Sequence, residues 1–303
     1  MNNAPLHNLV QSNEIIELLK NKAAQDFLTL HFTEKPDHLS LTYSGKVDFD
    51  LTKLTQILHL YQKAATKIPL WVQNMCAMHA KSYAQCSHWE VARFKSTLFK
   101  GTHLLDLTAG LGVDSFYFSK SFSQITSVER DLETHQYAVY NANKLGVTNI
   151  NFIQQDLKSF QFSGRYDVIY LDPDRRVNQK FQQKDLASYS PNILEWHEIL
   201  LKRCDHLLIK LSPMLDITFL ETALPKLSNT YVIGYKNEVK EILIHLTNKE
   251  VDKPIRHAVD INDLVSTVYT SERTTLPNTT QINGQYLLEP SKALIKTGLA
   301  NTY

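Results

Sequence analysis

The fold is decided by the stretch Asp106-Leu107-Thr108-Ala109-Gly110-Leu111-Gly112-Val113-Asp114. It includes the end of a short apolar run, residues 103–107, and leads into residues 114–121, whose spacing predicts a helix. Two of the nine glycines of the chain fall in this one turn, and glycine lets a backbone turn tightly or approach a ligand closely. A strand, a glycine-rich turn and a helix N-terminus in this order predict a nucleotide-type cradle.

Further strands and helices alternate on the C-terminal side of this turn. Strands are predicted at residues 124–128, 149–153, 166–171 and 206–210, and helices at 133–145 and 186–202. This alternation predicts a parallel sheet with right-handed crossovers. The spacing of residues 231–235 and 241–246 then predicts an antiparallel hairpin at a sheet edge. The predicted fold class is therefore α/β, with a mostly parallel, Rossmann-like sheet.

The regions on either side do not show this alternation of strands and helices. Residues 1–98 predict a mainly helical domain, with Ser12 as a helix cap and a short hairpin through residues 39–43 in a hydrophilic stretch. Residues 99–250 hold the predicted sheet. Residues 251–303 are expected to form a small, separate C-terminal element of mixed helix and strand.

Composition excludes several classes of protein. The 303 residues carry a net charge of +1, which excludes a generally basic nucleic-acid coat but leaves room for a local basic patch. The three cysteines fit no zinc or redox motif, and no cluster of metal ligands is apparent. The sequence has no signal-peptide pattern and no apolar run near the roughly 20 residues that span a membrane. We expect a cytoplasmic protein with no metal and no membrane partner.

Acidic residues follow four of the predicted strands. They are Asp106, Glu129, Asp156 and Asp172, and in a parallel sheet they meet at the carboxyl edge, where open α/β sheets bind ligands. Glu129 can accept hydrogen bonds from both hydroxyls of a ribose, and Asp156 can accept one from an adenine amino group. A dinucleotide fingerprint has a third glycine or alanine where this chain has Ser115. A dehydrogenase is therefore the more distant alternative.

The pattern Asp-x-x-x-Gly-x-Gly-x-Asp, with acids after the next three strands, resembles that of class I methyltransferases, whose cofactor is S-adenosylmethionine (SAM). The resemblance implies that the backbone of residues 109–112 surrounds the methionine part, that Glu129 holds the ribose and that Leu157 borders the adenine with Asp156. The predicted cofactor-binding residues are Gln85, Asp106, Thr108, Ala109, Gly110, Gly112, Asp114, Glu129, Arg130, Asp156, Leu157 and Asp172.

The segment Asp172-Pro173-Asp174-Arg175-Arg176 occupies the position of the Asp/Asn-Pro-Pro-aromatic motif of base-amino methyltransferases. The resemblance assigns catalytic positions to Asp172 and Pro173, although no stacking aromatic follows. Arg175 and Arg176 either clamp a substrate phosphate or are solvated, while Pro173 in the plainer interpretation only ends a strand.

Two more segments contribute polar candidates. Lys210 is the third predicted catalytic residue. It either binds a phosphate, takes up a proton or pairs with Asp172, and we favour the pairing. Ser212 is a predicted substrate contact. Ahead of the motif, Gln85 is predicted to cover the methionine end of the cofactor. Ser87 is predicted to be an N-cap with Glu90 completing a capping box.

Taken together, these segments resemble bacterial class I SAM-dependent methyltransferases with a C-terminal THUMP-like domain, best known from Bacteroidetes. Matching segments include Lys67-Ile68-Pro69-Leu70-Trp71, residues 171–176 and 210–216, and Tyr286-Leu287-Leu288-Glu289-Pro290. Members usually continue beyond the position of Tyr303 into the THUMP-like module, so we expect this chain alone to bind RNA weakly. The resemblance implies RNA, tRNA or rRNA, as the partner.

The leading hypothesis is methyl transfer from SAM to a base in structured RNA, with an exocyclic amino nitrogen such as guanine N2 as the first candidate. A protein or small molecule is the alternative acceptor. A third hypothesis, motivated by the missing aromatic after Pro173, is a SAM-binding or RNA-binding module without turnover.

Overall fold

The computed structural model describes residues 13–175, 186–272, 289–300 and 302. Eleven strands are found within these ranges. They are β1 (Gly101–Asp106), β2 (Phe122–Glu129), β3 (Ile150–Gln154), β4 (Tyr166–Leu171), β5 (Asp174–Arg175), β6 (Tyr189–Ser190), β7 (Cys204–Leu211), β8 (Leu227–Tyr235), β9 (Glu238–Leu246), β10 (Ile255–Asn262) and β11 (Val265–Glu272).

Twelve α-helices surround or extend the sheet in the same described ranges. They are α1 (Glu14–Lys20), α2 (Lys22–Leu30), α3 (Pro36–Tyr43), α4 (Leu51–Ala64), α5 (Pro69–Gln73), α6 (Ala80–Gln85), α7 (Trp89–Leu98), α8 (Val113–Phe118), α9 (Leu132–Lys144), α10 (Ile193–Leu201), α11 (Ile217–Ala223) and α12 (Lys292–Thr297). Two short 3-10 helices, Leu157–Ser159 and Leu186–Ser188, complete the set.

Nine of the strands form one sheet in the order β11-β10-β8-β9-β7-β4-β1-β2-β3. The pairs between β3 and β7 are all parallel, as the alternation of strands and helices predicts. β9 runs antiparallel to both β7 and β8, which confirms the predicted hairpin. β10 then pairs parallel with β8, and β11 forms the edge. Parallel strands place their carboxyl ends together, so one edge of the sheet collects the ends of β1, β2, β4 and β7.

The C-terminal segment is not separate from this sheet. The strands β10 and β11 are hydrogen-bonded into it, and Arg256 of β10 is bonded to Glu221 of α11 and to the carbonyl of Thr297 in α12. The expected separate element is therefore replaced by an extension of the sheet. The proposed boundaries at residues 98 and 250 stay predictions.

The N-terminal helices pack on the sheet domain through α8 and α9. Their shared core includes Leu58, Trp71 and Phe116, with Tyr137 from α9. Two further cores lie on the two faces of the sheet. This packing brings the loop between α6 and α7 over the carboxyl edge of the sheet.

Three local predictions differ from the structure. Residues 36–43 form α3 rather than a hairpin, with Pro36 in its first turn, where the missing N–H costs nothing. The N-cap of α1 is Asn13, whose side chain accepts from the N–H groups of Ile15 and Ile16, rather than Ser12. The predicted helix at 186–202 is divided, because Leu186–Ser188 is a 3-10 turn, Tyr189–Ser190 is β6 and only Ile193–Leu201 is α-helical.

Candidate active site

A cavity of about 440 Å³ opens at the carboxyl edge of the sheet, beside the ends of β1, β2 and β4. This volume is in the range of sites that bind small molecules and cofactors. Of the twelve predicted cofactor-binding residues, only Gly112 does not line it. Those that do are Gln85, Asp106, Thr108, Ala109, Gly110, Asp114, Glu129, Arg130, Asp156, Leu157 and Asp172.

The glycine-rich turn adopts a backbone conformation that requires glycine. Gly110 has a φ of 53° and Gly112 a φ of 76°, both in the left-handed region. A Cβ at Gly110 would meet no other atom within 4 Å, so conformation rather than space excludes larger residues there. Gly112 is the N-cap of α8 and faces Phe152 and Ala138. It shapes the turn without lining the cavity.

Asp106 at the end of β1 is buried, with 1% of its surface exposed. Its carboxylate accepts hydrogen bonds from the Thr108 N–H at 3.0 Å and the Ser115 hydroxyl at 2.6 Å. Burial raises the pKa of Asp106 to about 7, although both hydrogen bonds act in the opposite direction. The carboxylate thus fixes the turn from inside.

Glu129 at the end of β2 holds the other side of the turn. It accepts from the Gly110 N–H at 3.0 Å and the Asp131 N–H at 2.8 Å, and burial raises the pKa of its carboxyl. An ionised carboxylate has about four lone-pair sites. Two are used here, so the geometry leaves capacity for the hydroxyls of a ribose.

The rim of the cavity is formed by exposed and half-buried polar residues. Asp156 is exposed and caps the short helix at Leu157–Ser159 by accepting from the Lys158 N–H at 2.8 Å. Asp174 accepts a hydrogen bond from the Gln85 amide at 2.9 Å and lies 3.5 Å from the Arg130 guanidinium. Gln85 and Arg130 are therefore joined through one carboxylate at the mouth.

Asp172 follows β4, and its backbone N–H donates to the Thr108 hydroxyl at 2.6 Å. Lys210 Nζ lies 2.5 Å from Asp172 Oδ2, which confirms the favoured pairing. Burial alone would lower the pKa of Lys210, but the carboxylates of Asp172, Glu241 and Asp114 outweigh burial and raise it. The raised pKa favours a protonated Lys210 that pairs with Asp172, rather than one that takes up a proton.

A buried network of charges borders the cavity through Asp114 and Ser87. Lys95 of α7 has no exposed surface, and its Nζ lies 2.9 Å from Asp114 Oδ1 and 2.9 Å from Glu241 Oε1. The hydroxyls of Ser87 and Tyr170 donate to Asp114 Oδ2 at 2.9 and 2.8 Å. The predicted N-cap role of Ser87 is wrong, because its hydroxyl is used here.

That cap is supplied by His88, whose Nδ1 accepts from the Glu90 N–H at 3.2 Å. Nothing in the sequence identified Lys95 or Glu241, since one lysine on a helix and one acid in a strand carry no spacing signal.

The remaining predicted residues lie around the site or outside the described residues. The backbone of Arg175 pairs with Tyr189 between β5 and β6, and Arg176 lies outside the described residues. Pro173 is buried. The Ser212 hydroxyl accepts from the Met214 N–H at 3.3 Å and does not line the cavity. The phosphate clamp and the substrate role of Ser212 stay predictions.

Several residues that line the cavity were not predicted. His79, Lys81 and Ser82 come from the start of α6, and Ser190 and Pro191 from the chain after β6. The Ser190-Pro191 pair could have indicated a break in the predicted helix at 186–202, because the residue before a proline is biased away from helix.

Comparison with known proteins identifies the domain that holds this cavity. Residues 98–210 match the family model described as a methyltransferase domain. The chain carries a SAM-dependent methyltransferase domain. A crystal structure described as that of a candidate methyltransferase from Porphyromonas gingivalis W83 superposes with a TM-score of 0.78 at 26% identity. That superposition covers 95% of this chain and 74% of the other.

Two curated relatives of the methyltransferase domain are shorter matches. An uncharacterized RNA methyltransferase of Thermotoga maritima is 37% identical over 90 residues, and one of Mycoplasma mobile is 33% identical over 76 residues. These segments are 29% and 24% of this chain and only 20% and 21% of the relatives. The predicted THUMP-like membership stays a prediction.

The residues of the methyltransferase domain fit its cofactor, SAM. The left-handed turn at Gly110 leaves open space beside the backbone, and the Glu129 carboxylate faces the same cavity. Within the described ranges, no group of three or more His, Cys, Asp or Glu side chains is arranged to hold a metal ion. No helix in the same ranges is long and apolar enough to cross a membrane.

Proposed function

We propose that the protein transfers a methyl group from SAM to an exocyclic amino nitrogen, such as guanine N2, of a base in structured RNA. The observation that carries this proposal is the position of Asp172-Pro173. The Asp172 carboxylate lines the cofactor cavity at the end of β4, and Lys210 holds it through Oδ2. The acceptor amino group would lie between this carboxylate and the methyl donor.

The chemistry required of the protein is alignment. SAM, when bound, supplies an electrophilic methyl group on a sulfonium. Asp172 and the carbonyl of Pro173 would accept hydrogen bonds from the two N–H groups of the acceptor, which would direct the nitrogen lone pair toward the methyl. The N–C bond would form as the S–C bond breaks, with S-adenosylhomocysteine as the leaving group, and the nitrogen would then lose one proton to solvent. Burial raises the pKa of Asp172, and the Lys210 cation 2.5 Å from its Oδ2 opposes that rise and so favours the ionised carboxylate. Holding the reactants in such geometry supplies much of the rate.

RNA as the acceptor is supported by the two curated relatives described as RNA methyltransferases. Because they match this chain over about a fifth of their own length, the substrate of the whole protein is a proposal. An RNA substrate would place the reaction in the cytoplasm. We propose tRNA or rRNA, whose folded elements present amino groups in loops and at helix ends.

The test is methyl transfer to RNA from a strain that lacks the gene. We expect labelled methyl from SAM in the RNA, and a single methylated nucleoside by mass spectrometry after digestion. Asp172→Ala should lose this activity, whereas Asp172→Asn, which keeps an acceptor oxygen, should retain part of it. Glu133→Gln, at the same cavity, is the control. Methyl found only in protein or small molecules would overturn the RNA proposal.

One observation favours a protein or small molecule as the acceptor. None of the described residues that line the cavity is Phe, Tyr or Trp, so a base that enters it has no aromatic ring to stack on there. Methyl transfer to a cell extract depleted of RNA would support this second acceptor class. Absence of S-adenosylhomocysteine with every acceptor would support a binding module without turnover.

A further inference from the structure

The turn between β8 and β9 lies at the same edge of the sheet as Lys210. β7 and β8 both run antiparallel to β9, so the end of β8 and the end of β7 point the same way. The turn, Lys236-Asn237, therefore lies at the carboxyl edge of the sheet, on the side of the predicted acceptor position. The loop before α7 also reaches this place, because the Gln85 carbonyl lies 3.4 Å from Lys210 Nζ.

We call five residues the hairpin surface: Lys67, His88, Tyr235, Lys236 and Lys240. They come from the chain before α5, the loop before α7, the end of β8, the turn and the start of β9. Lys240 acts electrostatically on both Lys67 and His88, and Lys236 acts on His88. Burial lowers the pKa of His88 to about 4, opposed by Glu90, and Lys240, Lys67 and Lys236 lower it further. Burial and the charges of Lys210 and Lys240 lower the pKa of Lys67, partly offset by Cys86. Lys210 also acts on Lys67, so basic side chains extend from Lys210 toward the β8–β9 turn.

An aromatic platform lies among these charges. The rings of His88 and Tyr235 have centroids 3.9 Å apart with planes inclined by 30°, and both side chains are half-buried. Lys236 Nζ lies 5.4 Å from the centroid of the Tyr235 ring. A neutral imidazole stacked on a phenol presents a π surface with cations around it, which is the combination that single-stranded nucleic acid binds.

The ion pairs of the hairpin surface are exchangeable. Lys240 lies 2.7 Å from Glu238, and Lys236 lies 3.3 Å from Asp263, with the carboxylate side chains 68% and 83% exposed. Exposed pairs contribute little stability, so a phosphate can replace the carboxylate as the partner of either lysine. Lys236 also has a φ of 49° and Asn237 a φ of 57°. Left-handed dihedrals at both positions are those of a two-residue hairpin turn, and the Lys236 side chain there is 58% exposed.

We propose that the hairpin surface binds the substrate RNA beside the acceptor nucleotide, with Lys236 and Lys240 on phosphates and one unpaired base stacked on the outer face of the Tyr235–His88 pair. The proposal rests on the proposed function. It also supplies, outside the cavity, the stacking group that the described cavity residues do not provide.

The test compares matched variants for binding to a fluorescein-labelled stem-loop RNA. Lys240→Ala is matched by Lys226→Ala, since each lysine is paired to one glutamate and their side chains are 32% and 25% exposed. Tyr235→Ala is matched by Tyr231→Ala, because Tyr231 of the same strand also stacks on a histidine, His257, at 4.3 Å. Tyr231 lies earlier in β8 than Tyr235, farther from the β8–β9 turn. Lys226 directly precedes the other end of β8.

We expect Lys240→Ala to weaken RNA binding and to reduce the slope of log affinity against log salt by about 1. Tyr235→Ala should weaken binding by about fivefold to a hundredfold with the slope unchanged, as expected for one stacked base. Glu238→Gln should strengthen binding, because it removes the carboxylate that competes for Lys240. All variants should bind SAM as the wild type does, and both controls should bind RNA normally.

The outcomes separate the two proposals. Suppose that the wild type methylates RNA and that Lys240→Ala, Tyr235→Ala and Glu238→Gln bind RNA as the wild type does. The proposed role of the hairpin surface is then wrong, and the proposed function stands. If the control variants weaken RNA binding as much as the test variants, the proposed role of the hairpin surface is also wrong, because the effect is not local. If the wild type methylates no RNA, the proposed function fails and the surface fails with it.

Discussion

The carboxyl edge of the sheet has two regions of opposite character. Around β1 and β2, acidic groups such as Asp106 and Asp114 are buried and bonded to several partners. At and beside the β8–β9 turn, Lys236 is exposed and Lys240 half-buried, and each faces one solvated acid. The difference agrees with the ligand proposed for each region. Fixed, buried groups suit one small cofactor of constant shape, whereas exchangeable surface charges suit a polyanion.

The largest expected effect concerns the buried region. Lys95→Met would leave Asp114 and Glu241 buried without their cation, and removing one partner of a buried ion pair costs about 3–5 kcal/mol. We expect the free energy of unfolding, measured by urea denaturation, to fall by this amount. Lys240→Ala, in the exposed pair, should change it by less than about 1 kcal/mol.

A second variant tests whether charge is the cause. Lys95→Met with Glu241→Gln should recover part of the lost stability, because one uncompensated charge is removed. Equal losses in Lys95→Met and Lys240→Ala would contradict the contrast between the two regions.

The next effect depends on pH. Burial raises the pKa of Asp106 from 3.8 to about 7. The folded state then binds more protons at this site than the unfolded state between these values, so the stability that Asp106 contributes is fully present below about pH 4 and is lost as the pH rises through about 7. The slope from this group is at most about 1.4 kcal/mol for each pH unit.

Asp106→Asn isolates this contribution from other titrating groups. The difference in unfolding free energy between wild type and Asp106→Asn, followed by urea denaturation from pH 4 to 8, should shift in favour of the variant as the pH rises. A difference that is constant with pH would show that Asp106 does not titrate in this range.

The sequence predicted the buried region better than the exposed one. Asp106, Glu129 and Asp172 were found because an acid after a strand, beside a glycine turn, is a local pattern with a fixed place in a parallel sheet. The same periodicity located β1 to β4 and the β8–β9 hairpin. These elements depend on contacts between neighbours in the sequence, which a pattern of side chains records.

What escaped prediction depends on contacts between distant segments. Lys95 meets Glu241 only after α7 is packed across the sheet, and no spacing encodes that meeting. β10 was not recognised as part of the sheet, because its pairing with β8 is set by tertiary packing. The α3 helix was mistaken for a hairpin since its residues have little helical periodicity. In each case tertiary contacts, rather than local propensity, decided the outcome.

A smaller effect is expected on cofactor affinity. Glu129→Gln should weaken SAM binding, measured by calorimetry, by about tenfold to a hundredfold, because one charge-assisted hydrogen bond contributes about 1.5–3 kcal/mol. Glu133→Gln is a matched control, since Glu133 also lines the cavity but accepts from the Tyr137 hydroxyl at 2.6 Å. Similar losses in both variants would indicate a general effect of negative charge rather than a specific role of Glu129.

The smallest expected effect lies at the β8–β9 turn. Lys236 has a φ of 49°, a conformation that asparagine adopts more readily than lysine. Lys236→Asn should therefore raise the urea midpoint of unfolding slightly while weakening RNA binding through the lost charge. Asn237→Gly is the control, because it eases the same turn and keeps the lysine, so only the stability should rise. If Lys236→Asn left RNA binding unchanged, the left-handed lysine would have no role in binding. The exposed region would then differ from the buried one in stability alone.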